Sequence, residues 1–424
     1  MEPINRRRFL AMTAAAGTLA ACRGGTESNS GASAASSTDT TPTTAMKPAE
    51  DPSAGPAAQR RLVVIEMAGG NDGMSTLVPY GMAGYRDLRS RTAIETDKLV
   101  RLNDTYGVPK TLKGLSSAGL AILMGVGAAN PDGSHFEMLE RWWRGDTTGS
   151  GSVSTGFLGR IADAIGDPSA RATAISIGAA SHPALISRSA ATMSLPRADI
   201  GELLATADPD DKIRTAFQAA LRELGVGADA TALGVARRGT TDALRFAQTL
   251  AALDEEKTDN YPGSSLGQGL KLAARLLQAD NGVRIVHVPM NVDFDTHDDH
   301  PGRHMEMMTE LNDAAIAFLA DLKKRKLDSN VLVMTISEFG RKAQDNGSTG
   351  LDHGAASVAL LAGPVKRGVH GEHSPLDRLD DDGNLIATVG FDRYYATVAE
   401  HWFGVPASEV LPGNVKPLDG IIKV

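Results

Sequence analysis

The chain has 424 residues, of which 42% are hydrophobic and 22% are charged, a balance typical of folded globular proteins. Its 51 acidic residues outnumber its 43 basic residues, so the net charge is −8 and nucleic acid is not an expected partner. The sequence has no apolar run of about 20 residues, which excludes a protein with several membrane-spanning helices.

The N-terminus has the layout of an export signal. The basic segment Arg6–Arg8 precedes Phe9, Leu10 and an apolar stretch that ends at Ala21. This order predicts a signal peptide over residues 1–21 rather than a membrane span. Paired arginines followed by Phe-Leu favour the twin-arginine export machinery as a partner, with a general secretory signal as the alternative.

The only cysteine, Cys22, follows Leu19-Ala20-Ala21. This segment resembles a bacterial lipobox, in which the cysteine is acylated, so Cys22 is a predicted lipidation site. Because two or three acyl chains hold a protein firmly on a membrane, we expect an exported, lipid-anchored protein that contacts the membrane only through its anchor. It would lie in the periplasm or at the cell surface. Simple cleavage after Ala21, with no role for Cys22, is the alternative.

Residues 22–59 are mostly Ser, Thr, Ala, Gly and Pro, with hardly a large apolar side chain. Such a segment cannot bury enough surface to offset the entropy of ordering, so we predict a disordered linker. The folded domain is predicted over residues 60–424. Residues 185–270 have a mainly helical pattern without a chemical cluster, which predicts a helical insertion in this domain.

Six short apolar runs are predicted as strands. They cover residues 61–67, 120–126, 174–177, 283–288, 331–336 and 358–361. Between the fourth and fifth runs, apolar residues recur at three- and four-residue steps from Arg303 to Lys326, which predicts a long helix. The order strand, long helix, strand and the near-continuous apolar strands predict an α/β fold. We expect a doubly wound, mostly parallel sheet with helices on both faces.

Polar residues that can carry chemistry follow the predicted strands. In open α/β sheets, ligands bind beyond the carboxyl ends of the strands. Five of the ten histidines lie between His297 and His370, a clustering that random surface placement does not predict. The predicted site residues at strand ends are Asp72, His135, Asp295, His297, Glu338, Arg341, Asp352 and His353.

The segment Asp293–His300 is the main indication of a metal site. It holds six acidic or imidazole groups in eight positions, and Asp295 and His297 can point to one side of an extended loop. Carboxylate oxygen with imidazole nitrogen suits a divalent metal, foremost Zn or Mn, with Ca or Mg as alternatives. The alternative is a solvated loop that caps the next helix before Pro301, and the two roles can coexist in different residues.

Two further pairs follow the fifth strand. Glu338 can ligate a metal, while Arg341 can hold a tetrahedral oxyanion through parallel hydrogen bonds. A structural Glu–Arg pair is the alternative. Asp352 and His353 add an adjacent carboxylate and imidazole, and Gly354 allows a close approach of the backbone.

The segment around Ser134 and His135 follows the second strand. Ser134 is a candidate nucleophile or oxyanion donor, although no nucleophile-elbow pattern surrounds it, and His135 is a candidate ligand or phosphate contact. Asp72 closes Gly69-Gly70-Asn71-Asp72, which lacks the spacing and lysine of a phosphate-binding loop. We interpret this segment as a tight turn that presents Asp72.

From about residue 61 to the C-terminus, the ordered motifs resemble the bacterial domain-of-unknown-function family numbered fifteen hundred and one. The motifs are Met67–Gly73, Val78–Tyr80, Ser134–Phe136, Gly156–Arg160, Phe294–His297, Ser337–Arg341 and Asp352–Gly354. Members of that family are commonly exported with twin-arginine signals. The family is similar to the alkaline-phosphatase and sulfatase superfamily, which implies an alkaline-phosphatase-like α/β fold with metal ligands on strand-end loops.

The resemblance also implies roles for individual residues. Asp72 matches the superfamily's first-strand aspartate ligand, Asp295 and His297 its Asp/His ligand loop, Glu338 its next acidic position and His353 its last histidine ligand. The sequence departs from the superfamily in two places. The usual nucleophile has no counterpart before Ser134, and the usual aspartate–histidine pair is Glu338-Phe339.

Together, these features predict an exported metal-dependent hydrolase that acts on a small anionic substrate, a phosphate or sulfate ester. One or two metals would bind the anion, and Arg341 would hold one of its oxygens. A cell-surface lipoprotein that keeps the fold but serves as a binding or assembly component is the second hypothesis, favoured by the altered nucleophile position. A metal-free scaffold is the third.

Overall fold

The computed structural model describes residues 59–423, except 167–169, 171, 179–181, 280–281 and most of 196–259. The predicted signal peptide, Cys22 and the linker up to residue 58 lie outside the described residues. So does most of the predicted helical insertion, of which the described ends contribute a strand at Thr192–Leu195 and a helix at Ser265–Gln278. These assignments stay predictions.

Eleven strands are described. They are β1 (Arg61–Glu66), β2 (Leu99–Arg101), β3 (Gly107–Pro109), β4 (Ala121–Gly127), β5 (Ala174–Ile177), β6 (Thr192–Leu195), β7 (Ile285–Pro289), β8 (Val331–Ile336), β9 (Ser357–Ala362), β10 (Gly368–His370) and β11 (Val389–Gly390). Nine form one sheet with the order β10-β4-β9-β8-β1-β7-β5-β6, in which β11 also pairs with β4; β2 and β3 form a separate hairpin. Within the nine-stranded sheet only β9 is antiparallel to its neighbours. The predicted mostly parallel α/β sheet is confirmed.

The described helices connect these strands. They are α1 (Gly73–Thr76), α2 (Tyr85–Leu88), α3 (Lys113–Ala118), α4 (His135–Arg144), α5 (Phe157–Ile165), α6 (Ser265–Gln278), α7 (His300–Lys324), α8 (Phe391–Thr397) and α9 (Ala407–Val410). Three 3-10 turns at Thr96–Lys98, Lys110–Leu112 and Pro183–Leu185 and a π-helical turn at Val398–Phe403 complete the set. The long predicted helix is present as α7, which begins at His300 because Pro301 supplies the fixed φ suited to a first helical turn.

Helices cover both faces of the sheet, as expected. Successive side chains of a strand point to opposite faces. Val63 and Ile65 of β1 pack in one core with α6 and α7, while Leu62 and Val64 pack in a second core with α4, α5 and α8. All four side chains are at most 1% exposed, and burying each contributes about 1.5–3 kcal/mol.

The sheet register brings three strand ends together. β1 lies between β7 and β8 and runs parallel to both, with Glu66 opposite Pro289 on one side and Ile336 on the other. The loops after these strands therefore start at one edge of the sheet. No helix in the described part of the chain has the length and apolar character to cross a bilayer.

Candidate metal centre

The loops after β1 and β7 dock closely onto each other. The amide of Phe294 donates to the carbonyl of Ala68 at 3.1 Å. Gly69 has φ +107°, and a Cβ placed there would lie 2.5 Å from the amide nitrogen of Asp295. Only glycine permits both this φ and this approach, so Gly69 of the predicted turn allows the Asp295 loop to pack closely against it.

Four predicted site residues converge on one point. The Nε2 atom of His353 lies 3.0 Å from Nε2 of His135, 3.0 Å from Nε2 of His297 and 3.1 Å from Oδ1 of Asp295. The same Asp295 oxygen lies 3.0 Å from Nε2 of His297 and 3.5 Å from Nε2 of His135. Residues more than 200 positions apart along the chain thus meet in one cluster, which we term the His3Asp cluster (His135, Asp295, His297 and His353).

The other ring nitrogen of each histidine faces an acceptor. Nδ1 of His135 lies 2.8 Å from Oε1 of Glu338, Nδ1 of His297 lies 2.9 Å from Oδ1 of Asp352, and Nδ1 of His353 lies 2.7 Å from the carbonyl of Gly133. A carboxylate or carbonyl can only accept, so each Nδ1 carries the proton in the neutral ring. Each Nε2 therefore keeps its lone pair, and the ligand atoms of His135, Asp295 and His353 all lie within 4.8 Å of one another.

This donor set fits a divalent metal. Lone pairs that face one another at 3.0 Å repel unless a cation or added protons lie between them. In metal sites, a ligating histidine usually donates its other ring N–H to a carboxylate or a carbonyl, and imidazole with one carboxylate suits zinc. The four side chains remain 24% to 45% exposed, so the cluster is open to solvent.

Glu338 lies behind His135. Its carboxylate is buried and accepts a hydrogen bond from the amide of Gly69 at 2.7 Å as well as from His135. The hydrogen bond to Glu338 raises the pKa of His135. Asp352 occupies the corresponding position behind His297. Glu338 and Asp352, both predicted as metal ligands, contact Nδ1 of His135 and of His297, and their ligand role stays a prediction.

Arg341 is fully buried and directed at the protein itself. Its guanidinium donates to the carbonyls of Gly69, Gly70, Leu351 and Phe294, and to Oδ1 of Asp295 at 2.7 Å. Burial raises the pKa of Asp295, but the hydrogen bond and charge of Arg341 outweigh it, and the net pKa is lowered. The structural Glu338–Arg341 pair considered from the sequence is not formed. The oxyanion-holding role of Arg341 stays a prediction, while its contacts favour positioning of Asp295.

Asp72 is held by other partners. Its carboxylate forms two 2.8 Å hydrogen bonds with Arg89 and lies 3.3 Å from Nε2 of His300. Burial raises the pKa of Asp72, but the charge of Arg89 and the hydrogen bonds of His300 and Arg89 hold it well below the usual range. The arginine thus supplies the positive charge that the prediction assigned to a metal, and the ligand role of Asp72 stays a prediction.

Ser134 caps α4. Its Oγ accepts a hydrogen bond from the amide of Glu137 at 3.5 Å, and its own amide donates to Asp132. None of its described hydrogen bonds joins it to an imidazole that would act as a base. The nucleophilic role of Ser134 stays a prediction.

A second cluster was missed from the sequence. Oε2 of Glu66 lies 2.9 Å from Nε2 of His287 and 3.1 Å from Nε2 of His182, and all three side chains are buried. Here Nδ1 of His182 accepts from the amide of Ala184, so Nε2 carries the proton and donates to Glu66. Hydrogen bonding therefore accounts for this cluster. Its signal was His287, a polar residue inside an otherwise apolar strand run.

Similarity to solved structures is remote. The alkaline phosphatase from the Antarctic bacterium TAB5 is 14% identical, with 73% of this chain and 94% of that chain covered and a TM-score of 0.34. The PsFucS1 sulfatase from Pseudoalteromonas sp. is 11% identical, with 85% and 70% covered and a TM-score of 0.39. The C-terminal periplasmic domain of EcEptC from Escherichia coli is 10% identical, with 86% and 92% covered and a TM-score of 0.37.

No curated protein matches the chain. The fold class rests on the sheet order described above. At the level of sequence families the match is extensive, since it includes α4, α7 and the loops that carry His135, Asp295, His297 and His353. The chain belongs to the family described as protein of unknown function (DUF1501), whose sequence model matches residues 105–383.

Proposed function

We propose that the chain is an exported metal-dependent hydrolase of a phosphate or sulfate ester. The observation that carries the proposal is that three histidine Nε2 atoms lie within 3.5 Å of Oδ1 of Asp295 in a solvent-accessible cluster. A divalent ion bound there supplies Lewis-acid polarisation of an ester oxygen and activation of water.

The protein's own residues hold this arrangement in place. Glu338 and Asp352 orient His135 and His297, and Arg341 orients Asp295. Because Glu338 and Arg341 are buried and Asp352 also accepts a hydrogen bond from Nδ2 of Asn346, the donor atoms need little rearrangement to bind a cation.

An anionic substrate is favoured by the placement of α4. The helix begins at His135, so its first amides and the positive end of its dipole lie beside a ligand of the cluster. A negatively charged ester group bound at the cluster would therefore meet favourable backbone charge. Its attacking group would be either water or Ser134, the residue that caps the helix.

Export and anchoring complete the proposal. The support is the basic and apolar N-terminal segment and the lipobox-like Leu19–Cys22. Twin-arginine export carries folded proteins, so a metal bound in the cytoplasm would travel with the chain. Labelling with a radioactive fatty acid in cells, lost in Cys22→Ala, tests the anchor.

Hydrolysis is tested on purified protein that lacks the signal peptide. An aryl phosphate monoester, an aryl phosphodiester and an aryl sulfate are each assayed with Zn or Mn and with a chelator. We expect turnover of at least one ester, loss of turnover in the chelator, and loss in Asp295→Asn and His353→Ala. His370→Ala, which changes a histidine outside the cluster, should keep activity. Failure to hydrolyse any of the three esters in either metal contradicts the proposal.

A second candidate function is metal-dependent binding without catalysis. It is favoured by the hydrogen bonds of Ser134, which link this hydroxyl to a helix amide rather than to a base. Elemental analysis that finds about one ion per chain, together with no turnover in the ester screen, would support this candidate. A melting temperature that neither metal nor chelator changes would support a metal-free scaffold.

A further inference from the structure

The carboxylate of Glu66 joins three segments beneath the loop after β1. Its Oε2 accepts hydrogen bonds from Nε1 of Trp143 at 3.0 Å, from Nε2 of His287 at 2.9 Å and from Nε2 of His182 at 3.1 Å. Glu66 is 4% exposed, so water does not compete for this oxygen. Each donor is therefore held in a fixed direction toward the last residue of β1.

Trp143 connects this network to the metal centre. It lies in the last turn of α4, the helix whose first residue is His135. A hydrogen bond from the indole to Glu66 fixes both the rotation of α4 and its position along its axis relative to β1. The ring of His135 is fixed at the other end of the helix by Glu338, which in turn is held by the amide of Gly69, three residues after Glu66.

Two connections thus fix the position of His135 relative to β1. One runs from its ring through Glu338 to Gly69, and the other runs from its helix through Trp143 to Glu66. The hydrogen bonds of Glu338 set the tautomer of the ring, but they do not set where the helix places Nε2. That placement requires a contact within α4, and Trp143 is the residue of α4 whose side chain bonds to the end of β1.

We propose that Glu66 and Trp143 are positioning residues that set the metal affinity of the His3Asp cluster through His135. This inference rests on the metal site of the proposed function. It concerns a hydrogen bond that touches neither the metal nor the substrate, so its signature is a change in affinity rather than a loss of ligand atoms.

The test compares two neighbouring tryptophans. Trp143→Phe removes the indole N–H that binds Glu66, whereas Trp142→Phe removes an indole N–H that has no hydrogen-bond partner within the described chain. Zinc affinity is measured on the full purified protein by competition with a chromophoric chelator, and the stability of the metal-free protein is measured by urea unfolding. We expect Trp143→Phe to weaken zinc binding by about tenfold, and Trp142→Phe to leave it within about twofold.

A double variant shows whether the effect passes through His135. In a His135→Ala background, Trp143→Phe should add no further loss of zinc affinity, because the ligand that it positions is gone. Equal affinities of Trp143→Phe and the parent, equal losses in both tryptophan variants, or a full additional loss in the His135→Ala background would each overturn the inference.

Two further outcomes are distinguishable. If Trp143→Phe does not fold, Glu66→Gln replaces it and is expected to weaken zinc binding in the same direction; unchanged binding overturns the inference. A parent protein that binds no zinc overturns the metal site and this inference together, whereas a parent that binds zinc with unchanged affinity in Trp143→Phe overturns this inference alone.

Discussion

Nδ1 of His297 donates a hydrogen bond to Oδ1 of Asp352 at 2.9 Å, while Nε2 of the same ring lies 3.0 Å from Oδ1 of Asp295. One carboxylate therefore fixes the tautomer and the other faces the lone pair. His135 is arranged in the same way: Glu338 accepts from its Nδ1, and Asp295 faces its Nε2. The pattern is therefore shared by two histidines of the cluster.

Asp352→Asn should weaken metal binding without removing a ligand. The asparagine amide can donate toward Nδ1 and so favour the tautomer with the proton on Nε2. Loss of an outer-shell partner costs about 10- to 100-fold in metal affinity, and the half-exposed position of Asp352 points to the lower end. Zinc titration measures the effect. Asp298→Asn, which changes an exposed aspartate paired with Arg303, is the control and should bind zinc as the parent does.

Arg89→Met should destabilise the protein strongly. It leaves the buried carboxylate of Asp72 without its charged partner, and breaking a buried pair in this way costs about 3–5 kcal/mol. Urea unfolding of the metal-free protein measures the loss. Arg86→Met breaks the exposed pair with Glu95 and should have a much smaller effect. Similar losses in the two variants would contradict a stabilising role for the buried pair.

Stability should fall as the pH decreases below about 6.5, in part through His304. Burial lowers the pKa of His304 to about 3, whereas an unfolded chain binds this proton near pH 6.5. Between these two values only the unfolded state is protonated, so this histidine destabilises the fold by up to about 1.4 kcal/mol per pH unit. His304→Gln should flatten the dependence of unfolding free energy on pH between 4.5 and about 6.5. An unchanged slope in His304→Gln would contradict this role of His304.

Gly69→Ala should impair both stability and metal binding. Its φ of +107° strains any other residue, and the added Cβ would press on the backbone of Phe294 and Asp295. Gly383→Ala also has a positive φ of +79°, but its Cβ would meet open space. The control should therefore lose about 1 kcal/mol from backbone strain alone and bind zinc normally. Equal zinc affinities in the two variants would show that the turn does not set the position of Asp295.

The strands and the long helix were predictable because their signals are local. An apolar run such as Val331–Ile336 suits a strand whose side chains are buried on both faces of a sheet. The spacing of apolar residues in α7 marks one buried face of a helix. The antiparallel direction of β9 and the edge strands β6 and β10 were not predicted. Their sequences are short, and strand direction depends on the path of the chain between strands rather than on the strand itself.

The sequence alone determined which chemistry was available: carboxylates and imidazoles concentrated after predicted strands, a glycine-rich turn, and an N-terminal segment typical of exported proteins. The tertiary structure decided which of these groups meet. It brought His135, Asp295, His297 and His353 into contact, placed Glu338 and Asp352 against Nδ1 of His135 and His297, and paired Asp72 with Arg89. Residue type fixes the atoms that a side chain can offer. The distances between those atoms are fixed by the register of the parallel strands and the packing of the loops. Register and packing depend on contacts between residues hundreds of positions apart in the sequence.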